Sequence, residues 1–155
     1  MASGVKFVSN NFLGETLGGN VDMDTDVLKT ILVDTTNDMD DEDDFVADIG
    51  TLGEISVSGY VGGHGGAGRK TLANPTIAVD DGNNRATFAA DDQTWTSLAS
   101  GVTIKGAILH RAGTSNDNDA LCIGFWPADL PTNGGDVTLS FTGGFPMLLT
   151  RAAGS

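Results

Sequence analysis

From Glu54 onward the chain reads as short segments, alternating or apolar on both faces, separated by turn residues, and that pattern predicts strands rather than helices. Ile55 and Val57 share one face of segment 55–60, and Val137, Leu139 and Phe141 share one face of 136–142. Segments 76–79 and 85–90 flank Asp80, Asp81, Gly82, Asn83 and Asn84, residue types that accept the positive φ angles of a hairpin loop. Segment 27–33 is short and rich in β-branched residues, which favours a strand over a helix. Segments 102–111 and 120–126 are apolar on both faces, as expected of central strands or of strands covered by a partner. The turn-forming run 113–118 joins them, and Gly143-Gly144 leads into a last apolar run, 147–150. Trp95 and Leu98 are the expected core residues between the hairpin and the central strands.

Two stretches break the alternation. Residues 1–26 hold four Gly, three Asn and three Asp among scattered apolar side chains, too few for a core of their own. They are expected to form an extended arm that docks on the body or on a neighbour, with Phe7, Phe12 and Leu13 as anchors. Segment 38–48 packs acids ahead of Ile49, an order that suits the positive end of a short helix, and about two turns are expected there. Seven or eight short strands with frequent turns and no βαβ rhythm give an all-β fold: an antiparallel β-sandwich or barrel-like domain over 27–155, with the N-terminal arm and one short acidic helix.

Charge narrows the function classes. Eight Lys and Arg stand against 21 Asp and Glu in 155 residues, a formal net charge of −13. Such a surface repels phosphate backbones, so no nucleic-acid partner is expected. No apolar run approaches the roughly 18–20 residues of a membrane helix, and residues 1–14 lack the apolar stretch of a secretory signal, so no membrane partner is expected either. One cysteine, Cys122, excludes an internal disulfide framework and a multi-thiolate zinc site, and its apolar surroundings make it a small buried hydrophobe. The chain is expected to fold in a reducing cytoplasm.

The candidate motifs fail one by one. Gly63-His-Gly-Gly-Ala-Gly68 matches G-x-G-x-x-G, but that fingerprint needs a helix whose N-terminus holds the pyrophosphate, and Pro75 follows too soon. Arg69 between Gly68 and Lys70 likewise displaces the lysine of a Walker sequence, so a glycine loop between strands is the expected outcome. Asp22, Asp24 and Asp26 begin like a calcium loop, yet Val27 and Val33 occupy the positions of its essential Gly and Glu. Asp38, Asp40 and Glu42 fail the same two tests with Asp43 and Ile49, leaving a solvated acidic face, with an irregular cation site as the alternative. His64 and His110 are the only histidines, and no G-x-S-x-G elbow accompanies them. No catalytic, metal or cofactor residues are assigned.

From Leu28 onward the chain carries a recognisable series of phrases. A short strand, an acidic stretch with Phe45, and Glu54-Ile-Ser-Val-Ser-Gly-Tyr60 precede a glycine loop and Arg69-Lys-Thr-Leu72. Then come a hairpin, Phe88-Ala-Ala-Asp-Asp-Gln-Thr-Trp95, a strand with Gly106-Ala-Ile-Leu109, and Ala120-Leu-Cys-Ile-Gly-Phe125. Over 28–149 this resembles the small virion structural proteins of tailed double-stranded DNA bacteriophages. The resemblance implies a capsid decoration (cement) protein, not an enzyme, made in the host cytoplasm and bound to the outside of the shell. Its partners would be the major capsid protein and further copies of itself, a trimer fitting the two-faced apolar strands. A head–tail connector or tail-fibre component is the second reading. A carbohydrate-binding module is the third, with Trp95, Trp126 or Tyr60 stacking on sugar, although core packing also explains each aromatic.

Overall fold

The computed structural model describes residues 6–141 and 148–151. Strands in antiparallel sheets make up most of its regular secondary structure, with one short α-helix. In chain order these are β1 (Phe7–Val8), α1 (Asn10–Leu17), β2 (Leu28–Val33), β3 (Lys70–Thr71), β4 (Thr76–Asp80), β5 (Arg85–Ala89), β6 (Gln93–Trp95), β7 (Thr103–Arg111), β8 (Cys122–Pro131), β9 (Val137–Ser140) and β10 (Leu148–Arg151). The largest sheet has five strands in the order β1-β8-β7-β2-β3, β10-β9-β6 forms a second sheet, and β4-β5 stands as a two-stranded ribbon. None of the three closes into a barrel.

The predicted strands at 27–33, 76–79, 85–90, 102–111 and 120–126 correspond to β2, β4, β5, β7 and β8. Gly143 and Gly144, expected to make the last turn, and Met147 of the run that follows lie outside the described residues, while the rest of that run falls in β10. The two-faced strands are central, and both their faces are covered by this chain. Leu109, Leu121, Ile123 and Trp126 join Leu28, Leu32, Trp95, Val137 and Leu139 in a core shared with β6 and β9. On the opposite face Ile108, Cys122 and Phe125 pack with Ile31, Val33, Met39, Val46 and Ile49. The acidic stretch and its flanks therefore form the lid of the second core. A partner subunit is not needed to explain those strands, and the trimer draws no support from them.

Gly106 in β7 is set by close packing. A Cβ there would strike the edge of the Phe125 ring and the Trp126 carbonyl, and Phe125 is fully buried. Gly106→Ala is expected to cost roughly 1–3 kcal/mol through overpacking. A lower urea midpoint at unchanged slope would record it, and an unchanged midpoint would contradict it.

Three expectations need correction. Segment 38–48 is not a helix of two turns, and only Val46–Asp48 form one 3-10 turn. Its carboxylates bond the backbone locally instead: Asp43 accepts from the Asp40 N–H, Asp40 from Glu42, and Asp48 from Phe45. Such short side chains offer the peptide groups an alternative to the helical ladder. Segment 55–60 is not a strand. Ile55 donates one bond to the Leu32 carbonyl, then the chain turns at Gly59 (φ +94°) so that Ile55 and Tyr60 both enter the core.

The helix lies instead within 1–26, where an extended arm is expected. Its end is a Schellman arrangement: Gly19 (φ +75°) donates to the Thr16 carbonyl and Asn20 to that of Glu15. Ahead of it, β1 pairs with β8 at the sheet edge, and Ser9 donates to the Ile123 carbonyl. The described part of the arm thus docks on its own body.

Candidate functional site

Two kinds of feature stand out: a buried polar node under the glycine loop, and apolar side chains displayed on α1 and the β4–β5 ribbon. The node centres on Arg69, which precedes β3 and whose side chain is 2% exposed. Its Nε and Nη2 donate to Glu54 Oε1 and Oε2 at 3.0 and 2.8 Å, and Nη1 and Nη2 donate to Asp117 Oδ1 and Oδ2 at 2.6 and 3.1 Å. Both carboxylates are therefore held in the planar two-point geometry that guanidinium favours. Tyr60 donates its hydroxyl to Glu54 Oε1 and accepts from the Leu32 N–H, tying the node to β2. The Gly63 N–H binds Glu54 Oε2, and His64 Nδ1 lies 3.2 Å from Asp117 Oδ1.

Electrostatics follow from this geometry. Burial pushes the Glu54 and Asp117 carboxyls up, but the Arg69 guanidinium outweighs it and holds both below their ordinary values. Burial would pull Arg69 down, and its two carboxylate partners instead hold it above its ordinary value. Burial, and then Glu54, push the Tyr60 hydroxyl up. All four groups keep fixed charge states near neutrality, which suits a structural joint rather than proton transfer.

The glycine loop closes over the node without opening a helix. β3 follows it, as expected for a loop between strands. A Cβ at Gly68 would meet the Tyr60 ring at 2.9 Å, so the loop lies flat on that aromatic. Beside it runs an open groove of about 490 Å³ lined by Lys29, Lys70, Asp91, Asp92 and Gln93 among others. Gln93 donates to the Lys70 carbonyl across it, joining β6 to β3. The groove offers charges of both signs.

The histidines stay apart: His64 belongs to the loop, whereas His110 is buried in β7. His110 Nδ1 sits 3.1 Å from the Arg111 carbonyl, and Nε2 is buried without a partner. Burial lowers its pKa to about 4. Cys122 is buried in β8, and burial pushes its thiol up, away from thiolate chemistry. Among the described residues no three His, Cys, Asp or Glu side chains gather as a metal centre requires. No described helix is long and apolar enough to cross a membrane.

The three arm residues separate. Phe7 is half-buried with its ring 5.7 Å from that of Phe125, and Phe12 packs against the larger core. Leu13 is 50% exposed, and Leu17, one turn further along α1, is 91% exposed. Sequence reasoning missed Leu17, although Gly18-Gly19 is a helix-stop signal that would have placed it at a C-terminus. On β4, Ile77 and Val79 are 49% and 74% exposed. Trp95, Trp126 and Tyr60, the sugar-stacking candidates, are all buried, and Trp95 Nε1 donates to the Gly68 carbonyl at 2.7 Å. Searches of known protein families, curated proteins and solved structures find no match to this chain.

Proposed function

We propose that this protein is a virion structural protein of a tailed bacteriophage that decorates the outside of the capsid shell, built as a β-sandwich around the core shared by the two larger sheets. The observation that carries the reading is the distribution of exposed apolar side chains. On a chain of net charge −13, Leu13 and Leu17 project from one helix. Strong negative charge keeps a free subunit soluble, while a few apolar side chains on rigid elements supply contacts that exclude water once a shell is met. The phage-like phrases over 28–149 support the same reading. Burial of Trp95, Trp126 and Tyr60 removes the stacking platform that the glycan-binding reading assigned to them.

In this account α1 is the shell contact, presenting Leu13 and Leu17, while Phe7 and Phe12 hold the arm to its own sheet. The double variant Leu13→Asp, Leu17→Asp is expected to change folding stability by less than about 1 kcal/mol, because both side chains are surface positions. It should lose at least about tenfold in co-sedimentation with phage heads that lack the protein, since hot-spot side chains contribute 2 kcal/mol or more. Undiminished binding would remove α1 as the contact.

A further inference from the structure

β4 is an open sheet edge. Among the described residues it pairs with β5 on one side only, and Thr76, Ile77, Ala78 and Val79 are all exposed. Natural edges are usually blunted by an internal lysine, a bulge or a proline within the strand. Here Pro75 stands just outside, and no charged residue occurs before Asp80. The order Thr-Ile-Ala-Val-Asp is also nearly symmetric about Ala78.

We propose that β4 is the seam of a two-fold dimer, in which the β4 edges of two copies pair antiparallel and join two ribbons into one four-stranded sheet. With Ala78 opposite the partner's Ala78, Ile77 meets the partner's Val79 twice, and Thr76 meets the partner's Asp80 twice. Two aliphatic cross-strand pairs form on one face, and no like charges stand opposite each other. A strand that is its own complement identifies a second copy as the occupant, where a foreign strand would have to supply a complement of its own. The net charge of −13 on each copy opposes approach, so association strengthens as salt screens it. This dimer does not rest on the virion reading, since a subunit can decorate a shell as monomer or dimer.

The seam places directly opposed residues with Cα atoms about 4.5–5.5 Å apart, a span that a disulfide bridges. Ala78→Cys is therefore expected to give a reducible covalent dimer under mild oxidation, with buried Cys122 not competing. Thr76→Cys is the register control, because its two copies would lie about 14 Å apart along the seam. Cross-linking of Ala78→Cys should be at least about tenfold faster than that of Thr76→Cys. For the unmodified chain, sedimentation velocity should show a dimer that grows between low salt and about 0.5 M salt. Val79→Lys, at an exposed position that does not threaten the fold, should weaken that dimer by about tenfold or more. A monomer at every concentration and salt, or equal cross-linking of the two cysteine variants, would overturn the proposal.

Discussion

Arg69→Met is expected to be the most destabilising single change at the polar node, at about 3–5 kcal/mol. The methionine restores most of the lost volume, so the loss is electrostatic. Glu54, 12% exposed, and Asp117, 25% exposed, would then face each other without the guanidinium between them. Tyr60 and the Gly63 N–H still bond Glu54 but carry no positive charge. Against a typical total of about 5–15 kcal/mol, a loss of that size approaches unfolding. The loss should shrink as pH falls from 7 toward 4, because burial without the guanidinium raises the stranded carboxyls and they escape by taking up protons. Lys105→Ala provides the contrast. Its ion pair with Asp129 is exposed at 37% and 75%, and its removal should cost less than about 1 kcal/mol. Urea midpoints of the two variants at pH 7 and pH 4 decide the matter, and equal losses for both would show that the node is not what holds the glycine loop.

A second large effect belongs to His110. Its folded-state pKa, lowered to about 4 by burial, lies below the ordinary value of 6.5. Above 6.5 both folded and unfolded chains carry it neutral, and its contribution is fully present. Between 6.5 and 4 the unfolded chain binds a proton that the folded chain refuses, so stability falls with pH across that window. Below 4 both states are protonated and the loss is complete, on the order of 3 kcal/mol. His110→Leu should abolish this slope, since it removes the titrating ring along with the unpartnered Nε2. The decline below pH 4 should survive in that variant, because Glu54 and Asp117 have depressed values in the folded state and lose their contribution only as they protonate. Chemical unfolding of both proteins from pH 7.5 to pH 3 tests the assignment. A slope between 6.5 and 4 that persists in His110→Leu would place the titration elsewhere.

The strands were legible where turn residues or a two-faced apolar pattern marked them. Segment 76–90 carried its turn chemistry in the residues Asp80 to Asn84, and β4 and β5 formed around it, with Asn84 at φ +53°. The central strands announced themselves by being apolar on both faces. What covered them was not legible, because Met39, Val46 and Ile49 sit in an acidic stretch whose periodicity resembles a helix start. Segment 55–60 alternates like a strand, yet Ile55 and Tyr60 are buried by a turn that alternation does not encode. Helix α1 contains two Asn and a central Gly, a composition of low helix propensity, and its docking beside β8 overrides that preference. Of the node, only the acid-rich composition and Arg69 were visible, since Glu54, Arg69 and Asp117 are brought together across as many as 63 residues of chain.

These elements give the proposed function a physical shape. A rigid acidic body, cross-braced at Arg69, presents Leu13 and Leu17 on one element and the β4 edge on another. The claim they serve is a place on the phage shell in many copies. It is tested most directly by quantitative mass spectrometry of the purified particle encoded with this chain, scaled to the major capsid protein. Decoration of the shell predicts copies in the hundreds, comparable to the capsid protein itself. A dozen copies or fewer would assign the chain to the neck or tail, and absence from the particle would contradict the virion reading.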